Sequence, residues 1–262
     1  MRLALEITLV GGSLFAGGAL GFLAITALLM RAHVPKRTAR ETLAYFGREL
    51  LWILLTQPLL PLYFFVGRRM SRGSGVPVVV VHGYGQNRVD FIRFARVFAR
   101  SGGGPVFGFN YLFLRGLGPL AGSLERFIDG VRRETQSDRV DLVCHSMGGL
   151  VAAKLLAEPG AHALVRRCVT VATPHHGLAY KGPIFGAARR ELRLGHGVSP
   201  TSAVPLLSVY SAHDNVVFPA TKSSHIEEPH VENLEVAHLG HLGILFERRV
   251  LEAITRWLLE RD

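Results

Sequence analysis

The chain has 262 residues, 48% of them hydrophobic, a mean hydropathy of +0.26 and a formal net charge of +10. That length holds one α/β domain of ordinary size plus an additional segment. No basic stripe interleaves with stacking aromatics, which argues against nucleic acid as a partner, and the two cysteines, Cys144 and Cys168, fall in apolar strand-like runs and read as two buried thiols that carry no compartment information.

The apolar excess sits at the front. From Leu3 to Met30 only Glu6, Thr8, Ser13 and Thr26 interrupt the run, which exceeds the roughly 20 residues that cross a bilayer. A cleaved signal peptide would have a shorter core and more basic residues before it, so 3–30 is expected to be a retained span. A second apolar run, Leu50 to Val66, contains Gln57, Pro58 and Pro61. It reads either as a second, kinked span or as a segment lying on the membrane surface.

Between the two runs stand Arg31, Lys36, Arg37, Arg40 and Arg48, against Glu41 and Glu49. By the positive-inside rule that loop faces the cytoplasm. One span then leaves the rest of the chain cytoplasmic and two spans put it on the far side; the sequence leaves the side open. Most of the positive charge is arginine, which reads as a solvated face that also attracts anionic lipid headgroups. Ser71–Gly75 reads as a linker, dividing a membrane-anchoring region, 1–72, from a domain over 73–262.

In that domain strands and helices alternate. Strands are expected at Val76–Val81, Pro105–Asn110, Arg139–Cys144, Val165–Ala172, Val204–Tyr210 and Val231–Val236. Helices are expected at Asp90–Arg100, Leu120–Arg133, Met147–Ala157 and Leu245–Leu259. Continuous β-branched runs such as Val78–Val81 belong to strands buried on both faces, hence to a mostly parallel, doubly wound sheet. Residues 174–203 break the rhythm. There Ile184, Phe185, Ala188 and Leu192 could share one side of a helix, either a surface helix packed on the sheet or a short lid-like insertion.

Doubly wound sheets bind ligands at the carboxyl ends of their strands. Four such ends carry polar residues: His82–Gly85, Ser146, His213–Asn215 and His238–Gly243. Ser146 stands where an apolar strand run turns abruptly into a helical pattern. A serine on such a turn is held out of the sheet, and the helix behind it offers free N–H groups to an oxyanion. Serine, aspartate and histidine follow one another along the chain, each at the same sheet edge. The other aspartates weighed upstream are Asp90, Asp129, Asp138 and Asp141; Asp129 and Asp138 fall on a helix or turn surface, Asp141 inside the central strand, and none stands at a strand's carboxyl end, so Asp214 is the expected acid. No helix-borne His-Glu-x-x-His spacing is present, so neither a metal nor a cofactor is expected.

From about Pro77 to Leu259 the chain resembles the α/β-hydrolase superfamily, in particular bacterial lipases and esterases of the triacylglycerol-lipase type. The residues that carry the resemblance are His82–Gly85, Val143–Gly149, Thr173–Gly177, Asp214–Pro219 and Gly240–Gly243. The resemblance implies Ser146 as nucleophile, His241 as base and Asp214 as its orienting acid, with the backbone N–H groups of Tyr84 and Met147 as the oxyanion hole. It departs from the family pattern at Cys144, which replaces the first glycine of the G-x-S-x-G elbow and suggests a slightly displaced helix. His238, three residues before His241, is the competing base.

The expected protein is therefore a serine hydrolase of carboxylic, lipidic esters, anchored in a membrane, by the resemblance a bacterial inner membrane. Thioesterase, phospholipase and acyltransferase activities use the same three residues and stay open at this point. A non-catalytic membrane scaffold on the same fold is the rival from another class.

Overall fold

The computed structural model describes residues 2–179, 184–193, 195–198 and 204–260. Six parallel strands form one sheet in the order β2-β1-β3-β4-β5-β6. They are β1 Val78–Val81, β2 Val106–Phe109, β3 Val140–His145, β4 Val165–Val171, β5 Leu206–Ser211 and β6 Val231–Val236. Four begin one or two residues later than expected, and three of those starts, of β1, β2 and β5, follow a proline: Pro77, Pro105 and Pro205. A proline has no N–H for the ladder, yet its carbonyl can open the pairing; Pro105 accepts from Val78 N at 2.9 Å and Pro205 from Cys168 N at 3.0 Å.

Both faces of the sheet are covered. Side chains alternate across a strand, so Val79 and Val81 join one core with Leu120, Leu124 and Leu150. Val78 and Val80 join the other, with Phe94, Phe98, Leu251 and Ile254. The first layer contains α4 (Leu117–Thr135) and α5 (Met147–Leu156); the second contains α3 (Ile92–Arg100) and α7 (Arg248–Leu259), with a short α6 (Ala220–Ser223) beyond β5. The strand order reverses direction at β1, so the crevice over the carboxyl ends of β1 and β3 is the switch point where such sheets bind ligands.

The front of the chain forms α1 (Arg2–Met30) and α2 (Ala39–Thr56). Thr38 and Glu41 build a capping box at the start of α2. The apolar run 50–66 is divided between the end of α2 and a 3₁₀ stretch, Gln57–Phe64. Pro58 lacks the N–H that would extend the helix and disfavours helical backbone at the residue before it. Among the described residues one helix, Val10–Met30, is long and apolar enough to cross a membrane. Its Ala19, Leu23 and Met30 are buried, while Leu14, Leu20, Ile25 and Leu28 are exposed.

Contacts from α2 and the stretch after it run onto the domain. The Arg88 guanidinium donates to the carbonyls of Tyr63 and Val66, and Asn87 Nδ2 donates to Leu60 O at 2.8 Å. In the insertion, the helix considered at 184–193 is reduced to one 3₁₀ turn, Ala187–Arg189. Gly186 ahead of it has φ +97° and lies where a Cβ would come within 2.9 Å of the Leu114 backbone, so the chain enters on a path closed to helix. Ala188 and Leu192 are nevertheless buried while Phe185 is exposed; residues 180–183, 194 and 199–203 of this insertion lie outside the described residues.

Candidate active site

The site begins with the turn between β3 and α5. Ser146 adopts φ +53° and ψ −125°, a conformation that costs a non-glycine residue of order 1–3 kcal/mol and persists only where the surroundings enforce it. Here they do. A Cβ on Gly148 would lie 2.4 Å from Val81 O, and one on Gly149 2.1 Å from the Thr173 hydroxyl. Glycine at these places lets α5 pass tightly over β1, and the serine is pushed up at its start. Cys144, two residues earlier, is fully buried against the core. Burial, with Cys168 beside it, drives its thiol pKa well above the ordinary value, which keeps it a packing residue and an unreactive thiol.

Ser146 Oγ lies 3.0 Å from His241 Nε2, and His241 Nδ1 lies 2.9 Å from Asp214 Oδ2. The other Asp214 oxygen accepts the N–H groups of Val216 at 2.7 Å and Val217 at 2.8 Å. The carboxylate is thus saturated and fixed, with 1% exposure. Of the two competing histidines, His241 meets the serine. His238 instead stacks on His213, with ring centroids 4.7 Å apart, and its N–H donates to His213 Nδ1 at 3.2 Å. His175 and His176 face elsewhere, toward Thr170 and the His225 carbonyl. Asp141 pairs with Arg166 through two bonds of 2.9 and 2.6 Å.

Met147 opens α5, so its amide belongs to the first turn, whose N–H groups have no acceptor within the helix. Tyr84 follows β1, and its ring packs on Phe113 at 4.3 Å. The loop carrying Tyr84 is braced by a residue the sequence reading passed over. Gln86 Oε1 accepts Gly83 N–H at 3.0 Å and lies 2.7 Å from His145 Nδ1. A Cβ on Gly83 would come within 2.4 Å of that oxygen and 2.9 Å of Ser146 Cβ. His145 Nε2 in turn lies 3.0 Å from the His241 carbonyl, so one imidazole joins the Tyr84 loop to the His241 loop. Burial, reinforced by His241, lowers its pKa well below the ordinary value. Burial also lowers His82 to about 4. The neutral ring of His82 stacks on Tyr111, whose N–H donates to Nε2 at 3.2 Å.

Glu49 and Tyr45 are further contributors that strand-end reasoning did not find, and Asn215, on the strand-end loop beside Asp214, gains a role of its own by accepting the His241 amide. Glu49 is buried under the His241 loop, and burial raises its pKa to about 7. The signal available in the sequence was slight: one of two acids, with Glu41, among the basic residues between two apolar runs.

Above Ser146 lies a cavity of ≈ 300 Å³ lined by Phe22, Tyr84, Met147, Leu178, Ile184 and His241. Adjoining spaces of ≈ 340 Å³ and ≈ 260 Å³ share Phe22 and Val216 with it. Side chains of α1 therefore form part of the wall over the serine. Among the described residues no group of three or more His, Cys, Asp or Glu could hold a metal ion.

Comparison with known proteins agrees with this architecture. Residues 76–187 match the family model described as alpha/beta hydrolase fold. Lysosomal thioesterase PPT2 of Mus musculus is 32% identical over 130 residues, which are 48% of this chain and 43% of that protein, so the chain spans less than half of this relative's length. Bacillus licheniformis lipase BlEst2 in mature form superposes with a TM-score of 0.59 at 16% identity, over 72% of this chain and 93% of that one. Aspergillus fumigatus lipase B does so with a TM-score of 0.60 at 16% identity, over 73% and 55% of the respective chains.

Proposed function

We propose that this chain of alpha/beta hydrolase fold is a membrane-anchored serine hydrolase that cleaves carboxylic esters of lipids through an acyl-enzyme. The observation that carries the reading is the unbroken relay Ser146 Oγ–His241 Nε2 at 3.0 Å and His241 Nδ1–Asp214 Oδ2 at 2.9 Å, at the floor of an apolar cavity. In the first half-reaction Ser146 Oγ attacks the acyl carbon while His241 takes its proton. Asp214 holds the imidazole in the tautomer that accepts at Nε2 and stabilises the imidazolium. The proton then passes to the leaving alcohol. Water, deprotonated by the same histidine, releases the acid. The amides of Met147 and Tyr84 receive the oxyanion; one such donor contributes about 2.7–4 kcal/mol to transition-state stabilisation.

The lipid part rests on α1. Its apolar side chains Leu14, Leu20, Ile25 and Leu28 are exposed, Ala19 and Leu23 are buried, and Phe22, itself partly exposed, lines the cavity. A helix embedded by those exposed side chains brings the mouth of the site to the acyl chains. A thioester substrate is the second reading, favoured by the similarity to a lysosomal thioesterase. Phospholipase and acyltransferase reactions would use the same relay.

The test is covalent labelling by a fluorophosphonate, followed by hydrolysis of p-nitrophenyl esters from acetate to palmitate beside matched thioesters, using detergent-solubilised protein. Wild type is labelled and active and Ser146→Ala is neither. Labelling that survives the substitution removes Ser146 from the mechanism, and an unlabelled, folded wild type leaves the scaffold reading. The ratio of ester to thioester turnover separates the two substrate classes. Vesicle co-sedimentation that persists after deletion of 3–30 would move the anchor to 50–66.

A further inference from the structure

The backbone amides from Gly240 to Gly243 carry His241 into the site, and every one of them has an acceptor. Glu49 Oε1 receives Gly240 N–H at 3.2 Å and Gly243 N–H at 2.9 Å, and Oε2 receives Leu242 N–H at 3.3 Å. The amide of His241 itself goes to Asn215 Oδ1 at 3.0 Å. Asn215 is held from the same helix, since the Tyr45 hydroxyl lies 3.2 Å from that oxygen and donates to His213 O at 2.8 Å. One buried carboxylate therefore grips the loop on both sides of the imidazole, reaching across 191 to 194 residues of chain.

Two glycines are shaped to that carboxylate. A Cβ on Gly240 would stand 2.1 Å from Glu49 Cδ, and one on Gly243 2.1 Å from Glu49 Oε1. The glycines flanking His241 thus have a local reason to be glycine: they open the floor of the loop to a side chain from α2. Glu49 is 2% exposed, and a carboxyl group so buried costs stability unless its acceptors are filled. Three converging N–H donors fill them, an arrangement that fixes a loop conformation more narrowly than apolar packing would.

We propose that Glu49 is a positioning residue of the hydrolytic site, holding the 240–243 backbone so that the His241 imidazole stays aligned between Ser146 and Asp214. The proposal rests on the serine-hydrolase reading above and extends it to a helix outside the residues matched by the family model. Tyr45 on α2, Asp214 on the loop after β5 and His241 are the titratable groups facing it. Burial and Asp214 raise its pKa, the N–H bonds and His241 lower it, and the balance lies at about 7. The anion is the stronger acceptor, so the grip tightens as pH rises through that value.

The experiment uses the full-length, detergent-solubilised protein. The second-order rate constant for fluorophosphonate labelling of Ser146 is measured from pH 5.5 to 8.5 for wild type, Glu49→Gln and Glu49→Asp, with thermal unfolding of each. Glu49→Gln keeps the shape but turns an N–H₂ group toward an N–H donor. Its labelling is expected to slow about tenfold or more at pH 8 with the fold retained, and the wild-type advantage should grow from acid to alkaline pH. In ester hydrolysis kcat falls while KM stays within about twofold. Labelling of Glu49→Gln within twofold of wild type at every pH overturns the proposal. Should Glu49→Gln fail to fold, Glu49→Asp is judged by the same criteria. It keeps the charge one methylene too far away, and wild-type labelling by it is equally fatal. A wild type that is not labelled at all refutes the hydrolase reading itself, and the proposal with it.

Discussion

The two loops that meet at the site are built on opposite plans. The Ser146 turn grows from the central strand β3 and is squeezed into place by neighbours close to it: Val81 and His82 carbonyls under Gly148, and Thr173 against Gly149. The His241 loop follows β6, the edge strand, whose residues are half-buried or exposed. It takes its conformation from a helix near the front of the chain. The proposed nucleophile is fixed by the sheet that carries it; the proposed base is fixed by a borrowed element. Disturbing the first should threaten the fold, and disturbing the second should leave a folded protein with a poorly aligned base.

Gly148→Ala gives the largest effect. Its Cβ would meet backbone oxygens at 2.4 and 2.5 Å, and backbone cannot yield as a side chain can. A loss of about 3 kcal/mol is expected in chemical denaturation. An unchanged unfolding midpoint would mean that the elbow is looser than these distances require. Asn215→Ala breaks the comparison from the other side. It frees the His241 amide and is expected to slow fluorophosphonate labelling by one to two orders of magnitude, with most of the helical circular dichroism retained. Equal damage to fold and labelling would place Asn215 with the sheet-held group.

A third test reads pH. The folded protein holds the Glu49 proton up to about pH 7, whereas the unfolded chain releases it near 4.5. The folded state is then the better proton binder between those values, so the Glu49 contribution to stability falls as pH rises through that window. Relative to Glu49→Gln, wild type is expected to lose up to about 1.4 kcal/mol per pH unit there. A stability difference independent of pH would show that Glu49 has its ordinary pKa. The smallest effect is that of Cys144→Gly, which restores the commoner elbow glycine. It should leave labelling within about threefold and cost about 1 kcal/mol of stability through lost packing. A large gain in labelling would mean that the thiol holds the elbow out of position.

The same contrast governs what a reader of the sequence can find. Strand and helix alternation is written in local patterns, and each proline-preceded strand start differs from the expected one by a residue or two for a local reason. Ser146, Asp214 and His241 could be picked out because each stands directly after a strand or its short loop. Gln86 and Glu49 could not, because their roles are defined by what they touch. A glutamine three residues past Gly83 and a glutamate in a basic segment carry no periodicity or motif. Even the glycines around His241 could be read only as a family frame. That they make room for a carboxylate appears when Glu49 is seen under them.

The reach of Glu49 also sets an order of events in time. A growing chain presents residue 49 long before residues 240–243 exist, so α2 must wait while the whole sheet is synthesised. The grip on the histidine loop is a contact of very long sequence separation, and such contacts bear a large loop-closure entropy before they repay it. The His241 loop would then be among the last parts of the molecule to be set. A newly made chain would acquire its scaffold first and the proposed reactivity at the end.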